Sequence, residues 1–251
     1  MPDTRRVLLH KNGPALWPEH KPLAEVIRLQ NETPGPLFEA TYQANPVPAG
    51  GTVFKREWWR YSNRYDPDDQ YIKNKVIGRW MSWDTGLKDK ETSAFTSCVV
   101  GELDPAYRLM VRHVYKERLE FPDLPDVIGG YVQRFNRDGK LRGVIIEDKA
   151  SGISAIQTLS KTLKPNLARL LIAFEPGGDK IYRAQQAAVH CKNESVLLPH
   201  PTETVSWLMD FEDELFSFPG STYMDQVDAF SQLILWLENL LSQGYQARTG
   251  S

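Results

Sequence analysis

Residues 76–84 of the chain read VIGRWMSWD. The run from Val76 to Trp83 has the aromatic and β-branched side chains of a buried strand, yet the next side chain is the carboxylate of Asp84. A charge that is buried without a partner is costly, so a strand that ends in this way predicts that Asp84 meets a cation.

Further strands and helices follow this first strand. Residues 95–103 and 107–115 are rich in Val, Thr and Tyr and are joined by the turn sequence DPAY, which is typical of an antiparallel meander. Residues 125–136 have a helical pattern. The continuous apolar run GVIIED at 143–148 then predicts a strand that is buried on both faces.

The rest of the chain alternates between helix and strand. The pattern predicts a helix at 153–163, a strand at 168–174, a helix after Asp179, a strand at 195–198 and a final buried helix at 224–241. Strands first, and then strands alternating with helices, predict an α/β fold in which helices flank a mixed sheet made of an antiparallel meander followed by parallel strands. Residues 1–72, which prolines interrupt repeatedly, are predicted to be an irregular linker or subdomain edge that packs on a larger domain, and residues 73–251 to be the folded domain.

Composition excludes several classes of protein. With 41% apolar and 25% charged residues, the chain has the balance of an ordinary globular protein. It has no run of about 18 apolar residues, and residues 1–13 lack the apolar core of a secretory signal, so we expect no membrane association and a cytoplasmic location. Cys98 and Cys191 are far apart and are expected to be buried free thiols.

Carboxylates occur at positions where the pattern predicts low exposure. Asp84 and Glu147 end two apolar strands, and Asp225 and Asp228 begin the final helix, about 60° apart around its axis. Carboxylates gathered in a partly buried cleft repel one another unless they bind protons or a cation. Oxygen ligands of this kind suit a hard divalent metal ion.

Each carboxylate also has a simpler interpretation. Asp84 before Thr85 and Gly86 fits an Asx-turn. Asp225 fits a cap of the final helix, and Asp228 fits a negative charge that interacts with the positive end of the helix dipole. Glu147 fits a surface ion pair beside Lys149. The joint pattern of two strand ends and one helix start favours the metal site over these separate explanations.

Other catalytic motifs are absent from the sequence. There is no H-E-x-x-H pair for zinc, no G-x-S-x-G elbow for a serine nucleophile and no P-loop for an ATPase. A net charge of −2 gives no overall sign of nucleic-acid binding. The segment PGGDKIYRAQ nevertheless places Lys180 and Arg183 at a helix start, where they can contact a phosphate backbone.

Several segments, in order, resemble the nuclease region of phage large terminase subunits. LFEATYQANPVPAGGTVFKREWWRY is similar to the segment that joins the motor to the nuclease, and MSWDTG carries the first-strand aspartate, Asp84. GVIIEDKASG matches at Glu147, and GGDKIYRAQ matches D-K-x-x-R-A. WLMDFEDELFSFP and MDQVDAFSQ match the stretch before the last helix and its start, although Met224 replaces an aspartate there and Ala94 replaces another before the second strand.

The resemblance implies a ribonuclease H-like fold and an endonuclease that cuts double-stranded concatemeric viral DNA during packaging. It implies two Mg²⁺ or Mn²⁺ ions and three catalytic metal ligands, Asp84, Glu147 and Asp225, with Asp228 as an accessory ligand. Lys149, Lys180 and Arg183 would hold DNA.

The resemblance also implies partners and alternatives. We expect a motor ATPase domain, a small terminase subunit and a portal as partners, in the cytoplasm of a bacterial host. Since the sequence lacks the motor, we expect an excised fragment or a split gene product. The alternatives are a non-catalytic docking module of the packaging motor and another ribonuclease H-like nuclease of the resolvase or transposase type.

Overall fold

The structure is a computed structural model that describes Glu25, Arg28 and residues 53–59, 63–69, 75–86, 95–147, 150–175 and 177–249. Its contacts divide the chain into two units, residues 1–51 and 52–251. In the first unit, Arg28 and Glu25 are helical and form an ion pair of 2.8 Å. The sheet and its helices belong to the second unit.

Seven strands form one sheet in the described part of the chain. They are β1 (Arg64–Tyr65), β2 (Gly78–Thr85), β3 (Thr96–Leu103), β4 (Leu109–Glu117), β5 (Leu141–Glu147), β6 (Leu171–Phe174) and β7 (Val196–Pro199), in the order β1-β7-β4-β3-β2-β5-β6. β2, β3 and β4 are an antiparallel meander, and β5 joins β2 in parallel, as β6 joins β5. The predicted mixed sheet is confirmed.

Helices cover both faces of this sheet. They are α1 (Leu124–Phe135), α2 (Ala150–Thr162), α3 (Pro165–Ala168), α4 (Lys180–Lys192), α5 (Leu208–Ser217) and α6 (Asp225–Thr249). α1 and α2 share one buried apolar cluster with one face of the sheet, and α4, α5 and α6 share another with the opposite face. No described helix is both long and apolar enough to cross a membrane.

Strand β2 explains why Asp84 points where it does. Successive side chains of a strand point to opposite faces. Met81 and Trp83 are buried against α1 and α2, whereas Trp80 is buried on the α6 side, where Ser82 accepts a hydrogen bond of 3.0 Å from Gln232 of α6. Asp84 is next in this alternation, and it therefore faces the layer of α4 and α6.

The segment predicted as a linker contributes to the folded unit. β1 pairs in parallel with β7, and Phe54 and Trp59 are fully buried. The Trp59 Nε1 donates a hydrogen bond of 3.0 Å to the Val196 carbonyl. Residues 53–59 and 63–69 thus pack on the sheet, while the division of the chain at residue 72 stays a prediction.

Two further sequence expectations have a clear outcome. Cys98 and Cys191 are buried free thiols, as predicted. Helix α5 was not predicted, although Leu208, Phe211 and Leu215 lie on its buried side at helical spacing. Its four acidic residues hid that pattern.

Candidate functional site

Three buried carboxylates meet at one end of the sheet. Asp84 is the next-to-last residue of β2, Glu147 is the last residue of β5, and Asp228 lies in the first turn of α6. Each of the three residues is at most 5% exposed. One oxygen from each carboxylate lies within 4.8 Å of the others, which is close enough for the three to share one metal ion.

The pairing of β2 with β5 brings Asp84 beside Glu147. These strands are parallel, with Trp83 opposite Ile146, so the next residue on each strand is a carboxylate. The start of α2 then packs tightly under β5. A Cβ atom on Gly152 would lie 2.0 Å from the Glu147 carbonyl oxygen, so only glycine fits there.

Helix α6 is held at its start by Glu214 of α5. The Glu214 Oε1 accepts hydrogen bonds from the backbone N–H groups of Gln226, at 2.7 Å, and Val227, at 3.1 Å. Its Oε2 accepts from Lys116 at 2.6 Å. A carboxylate in this position satisfies two of the free N–H groups of the helix start and so fixes where Asp228 lies.

Sequence reasoning did not identify Glu214, but a signal was present. Met224 precedes α6, and methionine cannot accept a capping hydrogen bond as Ser, Thr, Asp or Asn would. A buried helix with such a start needs an acceptor from elsewhere in the fold. The acidic stretch just before α6 was the nearest source.

Two cations of α4 lie against the carboxylates. The Lys180 Nζ is 3.1 Å from Asp84 Oδ2, 3.1 Å from Asp228 Oδ2 and 3.3 Å from Asp225 Oδ1. Arg183, one turn later, donates through Nε at 3.1 Å and Nη2 at 2.5 Å to Asp228 Oδ1. Its Nη1 donates to the Gly178 carbonyl at 2.8 Å, which locks the guanidinium in place.

Burial and charge shift the acidity of these groups. Burial raises the pKa of Asp84 to about 7; Lys180 lowers it, and the carboxylates of Asp228, Glu147 and Asp225 raise it further. Burial lowers the pKa of Lys180, but Asp84, Asp228 and Asp225 more than offset this, so the pKa lies above its ordinary value. The lysine is therefore charged at neutral pH, and without a metal ion Asp84 is partly protonated near pH 7.

The donor set fits a hard divalent metal ion. Lys180 and Arg183 contact Asp84, Asp225 and Asp228, and Glu147 joins Asp84 and Asp228 in one buried group of carboxylates. Oxygen ligands are those that Mg²⁺ and Mn²⁺ prefer. The buried triad of Asp84, Glu147 and Asp228 could hold such an ion.

The structure brings some of the predicted site residues together and not others. Asp84, Glu147 and Asp228 come together, although Asp228 was predicted only as an accessory ligand. Asp225 is outside this group and is linked to it through Lys180. Lys149 lies outside the described residues. The functional role of each residue stays a prediction.

The pKa of Asp84 predicts how stability depends on pH without metal. Between the ordinary value of 3.8 and about 7, the folded protein holds a proton that the unfolded chain has lost. The stability that this proton contributes is complete below pH 3.8 and is lost as pH rises through 7. Asp84→Asn cannot ionise, so in EDTA we expect it to melt a few degrees above the wild type at pH 8.

Melting curves from pH 5 to pH 8 check this expectation. The difference between Asp84→Asn and the wild type should shrink towards zero at pH 5, where both side chains are largely neutral. A difference that is equal at both pH values would show that Asp84 ionises as an ordinary aspartate.

Comparison with known proteins supports the fold. No family model and no curated protein matches the sequence. Among solved structures, the chain is similar to the large terminase of a thermophilic bacteriophage. Two crystal forms of that protein give TM-scores of 0.52 and 0.51 at 12% and 14% identity, and each match covers 84% of this chain. The chain has a terminase-type, ribonuclease H-like fold.

The extent of the match also matters. The chain spans about half the length of these large terminase structures, since the matches cover 50% and 52% of those chains. The human cytomegalovirus terminase nuclease domain matches with a TM-score of 0.49 at 10% identity, over 73% of this chain and 94% of that chain. At 12% and 14% identity, the likeness to the large terminase concerns the fold, and with the observed mixed sheet it confirms the expected ribonuclease H-like fold.

Proposed function

We propose that this chain is a divalent-metal-dependent endonuclease that hydrolyses double-stranded DNA. The observation that carries the proposal is the buried group of Asp84, Glu147 and Asp228, with oxygens within 4.8 Å, at one end of a ribonuclease H-like sheet. Acids that serve only as caps and surface pairs need not share one buried point. The simpler interpretations of the sequence lose weight for this reason.

Each residue of the site has a task in this reaction. A bound Mg²⁺ or Mn²⁺ ion would act as a Lewis acid on the scissile phosphate and make water a stronger nucleophile. Asp84, Glu147 and Asp228 would hold it, and Arg183 would keep Asp228 turned towards it. Water would add to phosphorus and release a proton to solvent as the bond to the 3′ oxygen breaks, and the 3′ oxygen would take up a proton from solvent.

The ligand set that the resemblance implies changes slightly in this proposal. Two ions with Asp84, Glu147 and Asp225 as ligands were expected. The distances favour Asp228 as the third ligand and Asp225 as the accessory one, because Asp225 lies outside the 4.8 Å group and contacts Lys180.

We further propose that the biological substrate is concatemeric viral DNA that is cut during packaging. The support is the likeness in fold to large terminase and the ordered motifs of the sequence. A motor ATPase domain, a small terminase subunit and a portal would then be partners, and the host cytoplasm would be the location. A non-catalytic docking module remains the main alternative.

The DNA backbone needs a cation that the carboxylates do not already hold. Lys180 and Arg183 are both engaged with the acids, whereas Arg118 is exposed and lies over the Phe95 ring at 4.7 Å. Arg118 follows β4, whose last residue pairs with the first residue of β3, and that residue pairs with Thr85 beside Asp84. It therefore lies two strands away from Asp84, at the same end of the sheet.

We expect Arg118→Gln to weaken DNA binding and to lower the slope of log affinity against log salt by about one. Fluorescence anisotropy with a short duplex in Ca²⁺ measures both quantities. Arg142→Gln is the matched control, because Arg142 is exposed at the start of β5, the end of the strand away from Glu147. Equal effects of the two substitutions would contradict a DNA contact at Arg118.

The proposed function is tested by incubating metal-stripped protein with supercoiled plasmid in Mg²⁺, in Mn²⁺ and in EDTA. We expect nicked and linear products only with the ions. Absence of cleavage under every condition would favour the docking module. A four-way junction and an RNA–DNA hybrid belong in the same assay, since a strong preference for either would favour the resolvase or transposase type of nuclease.

A further inference from the structure

The Lys180 ammonium occupies the position of a cation shared by three carboxylates. Its Nζ lies 3.1 to 3.3 Å from oxygens of Asp84, Asp225 and Asp228. Only 30% of the side chain is exposed. This arrangement differs from a surface ion pair, because one ammonium contacts a carboxylate on strand β2 and two carboxylates on helix α6.

The start of α4 fixes Lys180 in this place. Lys180 is the first residue of the helix, and Asp179 before it accepts a hydrogen bond of 2.8 Å from the Tyr182 N–H. Arg183, one turn later, is buried and held by both Asp228 and the Gly178 carbonyl. The backbone that carries Lys180 is thus tied down on both sides of it.

The carboxylate oxygens differ in which cation they contact. Arg183 takes both of its short contacts on Asp228 Oδ1, so Asp228 Oδ2 is the oxygen that faces Lys180. Asp225 contacts Lys180 and lies outside the group of Asp84, Glu147 and Asp228. The group of Asp84, Glu147 and Asp228 therefore suits a metal ion. The ammonium contacts Asp225 and one oxygen each of Asp84 and Asp228.

The Lys180 ammonium and a second metal ion would compete for the same oxygens. The Nζ already lies against Asp84 Oδ2, Asp225 Oδ1 and Asp228 Oδ2, so a second divalent ion at these oxygens would lie beside a positive charge that repels it. Replacing the ammonium by a neutral group would remove this repulsion and leave the oxygens available to an ion.

We propose that Lys180 takes the place of a second metal ion, so that the free protein binds one divalent ion through Asp84, Glu147 and Asp228 beside a lasting Lys180 ammonium. This inference rests on the proposed function and narrows it, since the resemblance implied two ions. Asp225 becomes the residue that holds the ammonium. Lys180 is then part of the metal site, and other cations contact the DNA backbone.

The number of Mn²⁺ ions bound per chain tests the inference without any cleavage assay. Metal-stripped full chain is titrated with Mn²⁺ by calorimetry, in the absence of DNA. We expect about one ion for the wild type and about two for Lys180→Gln, in which a neutral amide replaces the ammonium. Lys180→Arg keeps the charge and should again bind about one.

Lys192→Gln is the matched control, because Lys192 is an exposed lysine at the other end of the same helix. It should bind about as many ions as the wild type. Two ions in the wild type, or one in a folded Lys180→Gln, would overturn the inference and leave the proposed function standing. A wild type that binds no ion would overturn both the inference and the proposed function. If Lys180→Gln does not fold, the numbers of ions bound by the wild type and by Lys180→Arg test the inference.

Discussion

Asp84→Asn is expected to lower the rate of plasmid cleavage by at least about 100-fold, because even residues behind the metal ligands reach effects of that size. Asp84 lies close to both the acidic and the basic side chains of the site. It lies in the buried triad and also contacts Lys180 at 3.1 Å. An amide in its place has the same shape but removes the negative charge that attracts a metal ion.

The control for Asp84→Asn is Asp126→Asn. Asp126 is an exposed carboxylate of α1, the helix that packs on the other face of the sheet. It should retain full activity. Because Asp84→Asn is expected to fold at least as stably as the wild type in EDTA, its loss of activity cannot be attributed to unfolding. Full cleavage by folded Asp84→Asn would remove the proposed function.

Arg183→Met is expected to lower the free energy of unfolding by roughly 3 to 5 kcal/mol in EDTA, the range for breaking a buried ion pair by removing one partner. The side chains of Arg183 and Asp228 are only 6% and 4% exposed, and two hydrogen bonds join them. Methionine fills a similar volume but leaves Asp228 Oδ1 without its guanidinium. Urea unfolding followed by circular dichroism measures the change.

Arg142→Met is the comparison for this measurement. Arg142 is exposed, and its Nη1 donates a hydrogen bond of 3.0 Å to the carbonyl of Gly139 in the preceding turn. Surface changes of this kind are usually within about 0.5 kcal/mol. A loss below about 1 kcal/mol for Arg183→Met, well under the range for a broken buried pair, would mean that Asp228 is less dependent on Arg183 than the two hydrogen bonds indicate.

The strands that carry the site could be predicted from sequence because their signal is local. Val144 to Ile146 form a continuous apolar run, and Trp80 to Asp84 alternate between two layers. Each run ends in a carboxylate, so the pairing of β2 with β5 was enough to bring Asp84 beside Glu147. The mixed sheet followed from the same runs.

The sequence could not show which of Asp225 and Asp228 joins Asp84 and Glu147, because both lie in the first turn of α6. Their positions relative to the sheet depend on how the helix is rotated. Burial of Val227 and Phe230 and the hydrogen bonds that Glu214 accepts set that rotation. All of these contacts join residues on different elements, so spacing along the chain does not contain them.

Lys180 shows a second limit of sequence reasoning. A lysine at a helix start suits a DNA phosphate and a carboxylate equally well. The packing of α4 determines which of the two it contacts. Lys180 contacts Asp84, which is 96 residues away in the sequence, and Asp225, which is 45 residues away. The motif predicted a cation that contacts the DNA backbone, and the fold places this cation against the carboxylates.

Anomalous diffraction from a crystal of the metal-free protein soaked in Mn²⁺ tests the central claim, that the buried acids hold a divalent ion, most directly. The expected result is a peak within about 2.2 Å of oxygens of Asp84, Glu147 and Asp228. A map with no peak beside Asp84 at saturating Mn²⁺, while Lys180 and Arg183 keep their contacts with the acids, would contradict it.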